Sequence, residues 1–375
     1  MASYLSTVDP GGLEEFSVVF TDRSLNHMSA KFQAVMRDIS SLLQEVYHAD
    51  AVAIVPGGGT YAMEAVARQF GRGARAMVVR NGWFSFRWSQ IFDAGGFAAE
   101  VDVVMARQTG NDKRAPYAPP PIADVVARIR EGKPDVVFAP HVETSSGIIL
   151  PDDYVTQMAS AAHEVGALMV LDCIASGCVW VDMAATGVDV LVSAPQKGWS
   201  ASPSAGLVML SKRAEARLQA TTSDSFALDL KKWRSIMAAY EGGGHAYHAT
   251  MPTDALVGFR DAMVETKAMG FKAAKAAQWE LGQAVRAMFA ARGVPSVAAD
   301  GFGAPGVVVS YTDDPGVQNG TKFRDEGLQI AAGVPLQVGE GPEFKTFRIG
   351  LFGLDKLADV PATLARLERA VEVVL

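Results

Sequence analysis

The stretch Leu168-Met169-Val170-Leu171-Asp172, followed after a turn-rich segment by Val188-Asp189-Val190-Leu191-Val192-Ser193-Ala194-Pro195-Gln196-Lys197, sets the fold expected of this chain. Each half is a short apolar run leading to one polar group that apolar packing alone would not place there. Runs this short, bounded by turns, predict two strands covered on both faces, as in a parallel sheet with helices above and below. Ligands of such sheets collect at the carboxyl ends of the strands, where Asp172 and Lys197 fall. Singly, neither residue is decisive. An Asp after an apolar strand commonly caps a helix or forms a turn, and a Lys beside Gly and Trp commonly keeps its head in water.

Outward from this stretch the alternation of strand and helix continues. Phe32, Val35, Met36, Ile39, Leu42, Leu43 and Val46 mark one helical face, and Ala51–Val55 reads as a strand that runs into Pro56-Gly57-Gly58-Gly59-Thr60. From Tyr61 to Phe70 the pattern is helical again. A strand, a glycine turn and a helix start present free backbone amides at the positive end of a helix, which suits a phosphate. The alternative is a tight turn with Thr60 as the N-cap. No Lys follows the glycines, so this is not a Walker loop. Strand Ala76–Arg80 precedes a helix carrying Trp83, Phe84, Phe86 and Trp88. Three of these aromatics are expected in the core, with one ring free to stack on a flat ligand. Further strands are expected at Val101–Met105 and Asp135–Ala139, the latter ending in His141-Val142-Glu143-Thr144-Ser145-Ser146-Gly147. Five or six alternations between Ala51 and Leu210 predict α/β architecture.

The flanks differ. Residues 1–23 lack periodicity and carry the turn Asp9-Pro10-Gly11-Gly12, so they read as an extended arm. Beyond Arg213 the rhythm loosens: one long helical region is expected from Thr253 to Ala291, then an apolar run Val307-Val308-Val309, the stretch Lys345–Ile349 and a final amphipathic helix Ala358–Leu375. The resulting division is an arm (1–23), a large α/β domain (24–251) and a smaller C-terminal α+β domain (252–375). The chain has 375 residues, 49% hydrophobic, enough for more than one domain. A net charge of −7 with no Lys or Arg run argues against nucleic acid and anionic membrane surfaces as partners. With no leader pattern and no stretch of membrane-spanning length, a cytosolic protein is expected. Two cysteines, Cys173 and Cys178, make neither a disulfide framework nor a zinc site and read as small buried residues.

A carboxylate and an amine at neighbouring strand ends are what pyridoxal 5'-phosphate requires: the amine forms a Schiff base with the aldehyde, and the acid keeps the pyridine nitrogen protonated. Four motifs in order, Ser193-Ala194-Pro195-Gln196-Lys197, Val170-Leu171-Asp172, His141 to Gly147, and Phe347-Arg348-Ile349-Gly350-Leu351-Phe352-Gly353, resemble the class V aminotransferases of fold type I, most closely the alanine or serine to glyoxylate branch. The resemblance extends from about residue 25 onward.

The resemblance implies Lys197 as the Schiff-base lysine, Asp172 as partner of the pyridinium nitrogen, Ile174 packed under the ring and Thr144 reaching the phenolic oxygen. It further implies Gly58, Gly59 and Thr60 as the phosphate cup, Gln196 lining the pocket, and Arg348 gripping the substrate carboxylate. Outside the motif, an Arg so placed commonly forms only a surface ion pair. Tyr247 and Thr250 match the pair that reaches the phosphate from a partner subunit, which implies a homodimer with a shared site. Phe84 stands where this branch commonly has Trp, so stacking is expected from a smaller face. Two further departures are the missing Gly-Pro stretch near the N-terminus, in whose place residues 17–27 are expected to shape the substrate pocket, and Ser202-Pro-Ser-Ala-Gly206 in place of a Pro-Pro-Gly turn. The activity implied is transfer of an amino group from a small amino acid (alanine, serine or aspartate type) to a 2-oxo acid such as glyoxylate or pyruvate. A lyase on the same fold is the alternative. A desulfurase lacks its mobile cysteine here, and a cofactor-retaining binding module is at odds with the complete set of groups.

Overall fold

The computed structural model describes residues 4–375. Its central sheet has seven strands: β1 (Ala51–Pro56), β2 (Arg75–Arg80), β3 (Glu100–Met105), β4 (Val136–Pro140), β5 (Leu168–Asp172), β6 (Val190–Ser193) and β7 (Ala205–Leu210). They lie in the order β1-β7-β6-β5-β4-β2-β3. From β3 to β6 every pairing is parallel, whereas β7 runs antiparallel to both β6 and β1. The segment from Leu168 to Leu210, which the sequence suggests holds two strands, therefore holds three. The third, β7, is buried along its whole length, and a continuous apolar run without alternation carries no sign of strand direction.

Helices cover this sheet as the apolar spacing requires. The helix α1 (Ala30–Tyr47) buries Phe32, Val35, Met36, Ile39, Leu42, Leu43 and Val46, and its N-cap Ser29 accepts a hydrogen bond from the Phe32 amide. Next come α2 (Gly59–Phe70) and α3 (Trp83–Gly95). Of the four aromatics on α3 only Trp88 is fully buried, with its ring centroid 4.6 Å from that of Phe138 on β4. Trp83, Phe84 and Phe86 remain partly exposed, one core ring where three were expected. Helical phase turns Trp83 and Phe86 away from the face that Trp88 presents to the sheet, whereas Phe84 shares that face one turn earlier and lines a cavity at the ends of the strands.

The long helix expected over 253–291 is two helices, Thr253–Met269 and Phe271–Ala291, broken at Gly270, whose φ of +91° favours glycine. The smaller C-terminal domain is built on β8 (Val307–Tyr311), β9 (Ala331–Ala332) and β10 (Thr346–Gly350), antiparallel in the order β8-β10-β9. A second apolar cluster joins Val307, Val309 and Tyr311 of β8 to Val142, Ile148 and Ile149 of the loop after β4. Arg286 reinforces that joint by donating to the carbonyls of Gly147, Ala304 and Val307. The C-terminal sheet is thus seated against the loop that carries Thr144.

The arm is not wholly extended. It contains a one-turn helix, Leu5–Val8, tied down where Lys31 Nζ donates to the Val8 carbonyl at 2.7 Å; its first three residues lie outside the described residues. Cys173 and Cys178 are both buried and unpaired. Among the described residues, no helix is long and apolar enough to cross a membrane.

Candidate active site

A cavity of about 230 Å³ opens at the carboxyl ends of the central strands, lined by Gly59, Thr60, Met63, Phe84, Arg87, Val142, Thr144, Asp172, Ile174, Ala175, Gln196 and Lys197. Eight of the residues singled out from sequence meet there: Gly59, Thr60, Phe84, Thr144, Asp172, Ile174, Gln196 and Lys197. Asp172 is the last residue of β5, and its Oδ1 accepts the Ile174 amide at 2.9 Å. Burial raises its carboxyl to about 6, a push only partly opposed by that hydrogen bond and by the Lys197 charge. Lys197 follows β6 in a loop pinned by Trp199, which is buried against Trp180 with ring centroids 4.6 Å apart. Gly198 is required at the tightest point of this loop, since a Cβ there would lie 2.2 Å from the Gly177 carbonyl oxygen. Burial also pushes the Lys197 amine below the ordinary lysine range, against the raising effect of Asp172 and Glu143.

Phe84 forms a hub for positive charge. Lys197 Nζ lies 5.8 Å from its ring centroid, and the guanidinium carbons of Arg87 and Arg348 lie 5.4 and 5.6 Å away. Arg348 reaches this point from β10, with its Nε anchored on the Ala332 carbonyl at 2.8 Å. It stands beside the cavity rather than on its wall. Burial lowers its guanidinium from the usual arginine range, and the Glu143 charge raises it. A second ring, that of Phe352, lies 5.8 Å from Lys197 Nζ on its own.

Glu143 is the residue that sequence reasoning quoted without giving it work. It is fully buried, and its carboxylate accepts from the amides of Phe84, Ser85 and Ser145 and from the hydroxyls of Ser85 and Ser145, at 2.7–3.1 Å. These bonds satisfy orphan amides at the start of α3 and place a negative charge at its positive end. They also fix the backbone from which Phe84 projects. Arg87 was missed as well, although its spacing of three from Phe84 on one helix put both on the same face.

The glycine turn differs from one expectation in detail. Gly58, in extended conformation, is the N-cap of α2, and Thr60 lies inside the first turn, its Oγ1 accepting from Arg87 at 3.0 Å. A Cβ at Gly59 would approach Ile174 Cδ1 to 2.5 Å and force that side chain to shift, while a Cβ at Gly58 would meet nothing within 4 Å. Tyr247 and Thr250 do not line the cavity of their own chain. Their hydroxyls bond each other at 3.0 Å in a segment without regular structure, and Tyr247 is more than half exposed. Residues 17–27 likewise do not reach the cavity within one chain. Several of them line a separate groove of about 730 Å³ formed by the arm and the start of α1.

These groups suit pyridoxal phosphate on two observations. Thr144 Oγ1 is buried without a hydrogen-bond partner, as a hydroxyl awaiting the cofactor's phenolic oxygen would be. The Asp172 carboxyl, raised by burial, is what a pyridinium N–H would stabilise.

Comparison with known proteins agrees. The family model described as aminotransferase class-V matches residues 15–300. A protein of Synechococcus sp. (strain PCC 6716) named soluble hydrogenase, small subunit, is 28% identical, over 92% of this chain and 86% of its own. The 2-aminoethylphosphonate–pyruvate transaminase of Paraburkholderia phymatum is 27% identical over 92% of both chains. Among solved structures, an alanine–glyoxylate aminotransferase from Nostoc sp. superposes with a TM-score of 0.78 at 22% identity, covering 93% of this chain and 89% of that one. With a fold type I sheet, a lysine and a carboxylate on one cavity and a family match over most of its length, this chain belongs to the class-V aminotransferases, enzymes that use pyridoxal phosphate.

Proposed function

We propose that the protein moves an amino group from a small amino acid of the alanine, serine or aspartate type to glyoxylate or pyruvate, in two half-reactions at the Lys197 cavity. The observation that carries this reading is the meeting of Lys197, Asp172 and the unpartnered Thr144 hydroxyl on one cavity wall.

The cofactor, when bound, supplies an aldehyde and an electron-accepting ring. Lys197 Nζ would hold the aldehyde and give up that place to the substrate's amine. Burial keeps this amine below the ordinary lysine range, so that once free it would serve as the base for the proton on the substrate's α-carbon. Asp172 would keep the pyridine nitrogen of the cofactor protonated. Its carboxyl, costly to ionise alone, ionises readily beside that cation. Thr144 would donate to the phenolic oxygen and Phe84 and Ile174 would flank the ring, while Gln196 lines the pocket beside the lysine. Gly58, Gly59 and Thr60 receive the phosphate at the start of α2. Arg348 holds the substrate carboxylate with a planar fork, which fixes orientation better than an ammonium.

The second half of the proposal is a homodimer in which Tyr247 and Thr250 complete the phosphate site of the partner. Leu13, Phe16 and Val18 support it, being 87–102% exposed in one chain. Apolar side chains so clustered on an arm call for a covering surface. The protein is assigned to the cytosol, where unpaired thiols such as Cys173 and Cys178 persist.

Mixing the yellow protein with single amino acids tests the reaction. The correct donor bleaches the visible band in one turnover, and the correct 2-oxo acid restores it. Steady colour with release of ammonia or a cleaved fragment would instead establish the lyase reading.

A further inference from the structure

Arg87 is the one cation on the cavity wall, apart from Lys197, and no role follows for it from the family motifs. It leaves α3 one turn after Phe84, on the same face. Its Nη1 donates to Thr60 Oγ1 at 3.0 Å, and its guanidinium carbon stands 5.4 Å from the Phe84 ring centroid. Among the described residues no carboxylate lies within 4 Å of it to form an ion pair. A full positive charge with most of its N–H donors unused therefore stands at the glycine-turn end of the cavity.

Two further features of that end point to an anion. The 12-residue helix α2 begins there at Gly58, without a side-chain cap to satisfy its first amides. Gly59 and Thr60, the first residues of that helix, line the cavity themselves, and a Cβ at the N-cap Gly58 would meet no atom within 4 Å.

We propose that Arg87 is the counter-charge of the cofactor's phosphate: its guanidinium, the Thr60 hydroxyl that it orients and the first amides of α2 form one site for a phosphate monoester dianion. The two arginines around Phe84 thereby take separate anions, Arg87 the phosphate and Arg348 the substrate carboxylate. This deepens the cofactor reading above and rests on it. A planar fork suits the task, since two parallel N–H groups match two phosphate oxygens.

The test is equilibrium binding to the full-length apoprotein, read by visible absorbance and tryptophan fluorescence, with pyridoxal phosphate and with pyridoxal, which lacks the phosphate. Arg87→Gln is expected to raise the apparent Kd for pyridoxal phosphate by about 10- to 100-fold and to leave that for pyridoxal unchanged. Arg87→Lys should recover part of the loss, because the charge remains and the fork does not. Unchanged pyridoxal phosphate affinity in Arg87→Gln would overturn the proposal, and so would an equal loss for both compounds, which would assign Arg87 to the Phe84 ring. Failure of the unaltered protein to bind pyridoxal phosphate at all would overturn the cofactor reading itself.

Discussion

The wall of the Lys197 cavity and the segment around Tyr247 are built in opposite ways. On the wall, each functional group is held by buried structure of its own chain. Asp172 ends a buried strand, Phe84 hangs from a helix start clamped by Glu143, and Lys197 sits in a loop locked by Trp199 and Gly198. Around Tyr247, the hydroxyls have only each other, the backbone is irregular, and the nearby arm displays Leu13, Phe16 and Val18 to solvent. A dimer of the kind proposed would join the held half of one chain to the displayed half of the other. In the proposed dimer the first half would set the chemistry, and the second how firmly the cofactor is held.

That contrast can be broken by substitution, and the effects should descend in order. Lys197→Ala removes the only amine on the wall and should lower turnover by at least about 10³-fold, measured by single-turnover spectroscopy, with the circular dichroism of the fold unchanged. Activity within tenfold of the original would refute its role. Asp172→Asn should cost about 10²-fold or more in turnover while making the apoprotein less sensitive to pH.

The sign of that pH effect follows from the raised carboxyl. In the folded apoprotein Asp172 holds its proton up to about pH 6, whereas its unfolded value is 3.8. Between those values the native state binds more protons, so stability falls as pH rises from about 4 to 6 and the loss persists above. The cost is roughly 1–3 kcal/mol. Urea unfolding of the apoprotein at pH 4 and pH 7 should reveal it, and Asp172→Asn should remove that part of the difference. A wild-type apoprotein whose carboxylate gained stability over this range would contradict the buried, unpaired state described for Asp172.

On the displayed half, Leu13→Asp combined with Phe16→Asp should leave the folded chain intact and weaken self-association by about 10- to 100-fold, read by sedimentation, with a parallel fall in cofactor affinity. No change in either would mean that these side chains are simply solvated. Smallest of all, Phe84→Trp should tighten pyridoxal phosphate binding by about 2- to 10-fold through a larger stacking face. Looser binding would place the ring elsewhere.

The same division explains what the sequence disclosed. Apolar runs ending in Asp172 and Lys197 signalled the sheet edge, because a buried strand leaves a plain mark in one dimension. The glycine turn, Thr144 and Ile174 were legible through motifs that lie on adjacent loops of that edge. The direction of β7 was not, since an unbroken apolar run is the same read either way. Nor was the work of Glu143, whose partners Phe84 and Ser85 are 58 to 59 residues distant and meet it only through the folded loop. Arg87 was hidden for a different reason: its partner Thr60 belongs to another helix, so its significance depends on how α2 and α3 are set side by side. The break at Gly270 was overlooked because apolar spacing continues on both sides of it.

The account turns on Lys197 as the amine that carries the cofactor. Reduction of the yellow protein with borohydride fixes the cofactor to whichever lysine holds it, and peptide mass spectrometry then finds the position. A pyridoxyl group on Lys197 alone is the predicted result. A group on any other lysine, or none on a protein that remains yellow, would contradict the account.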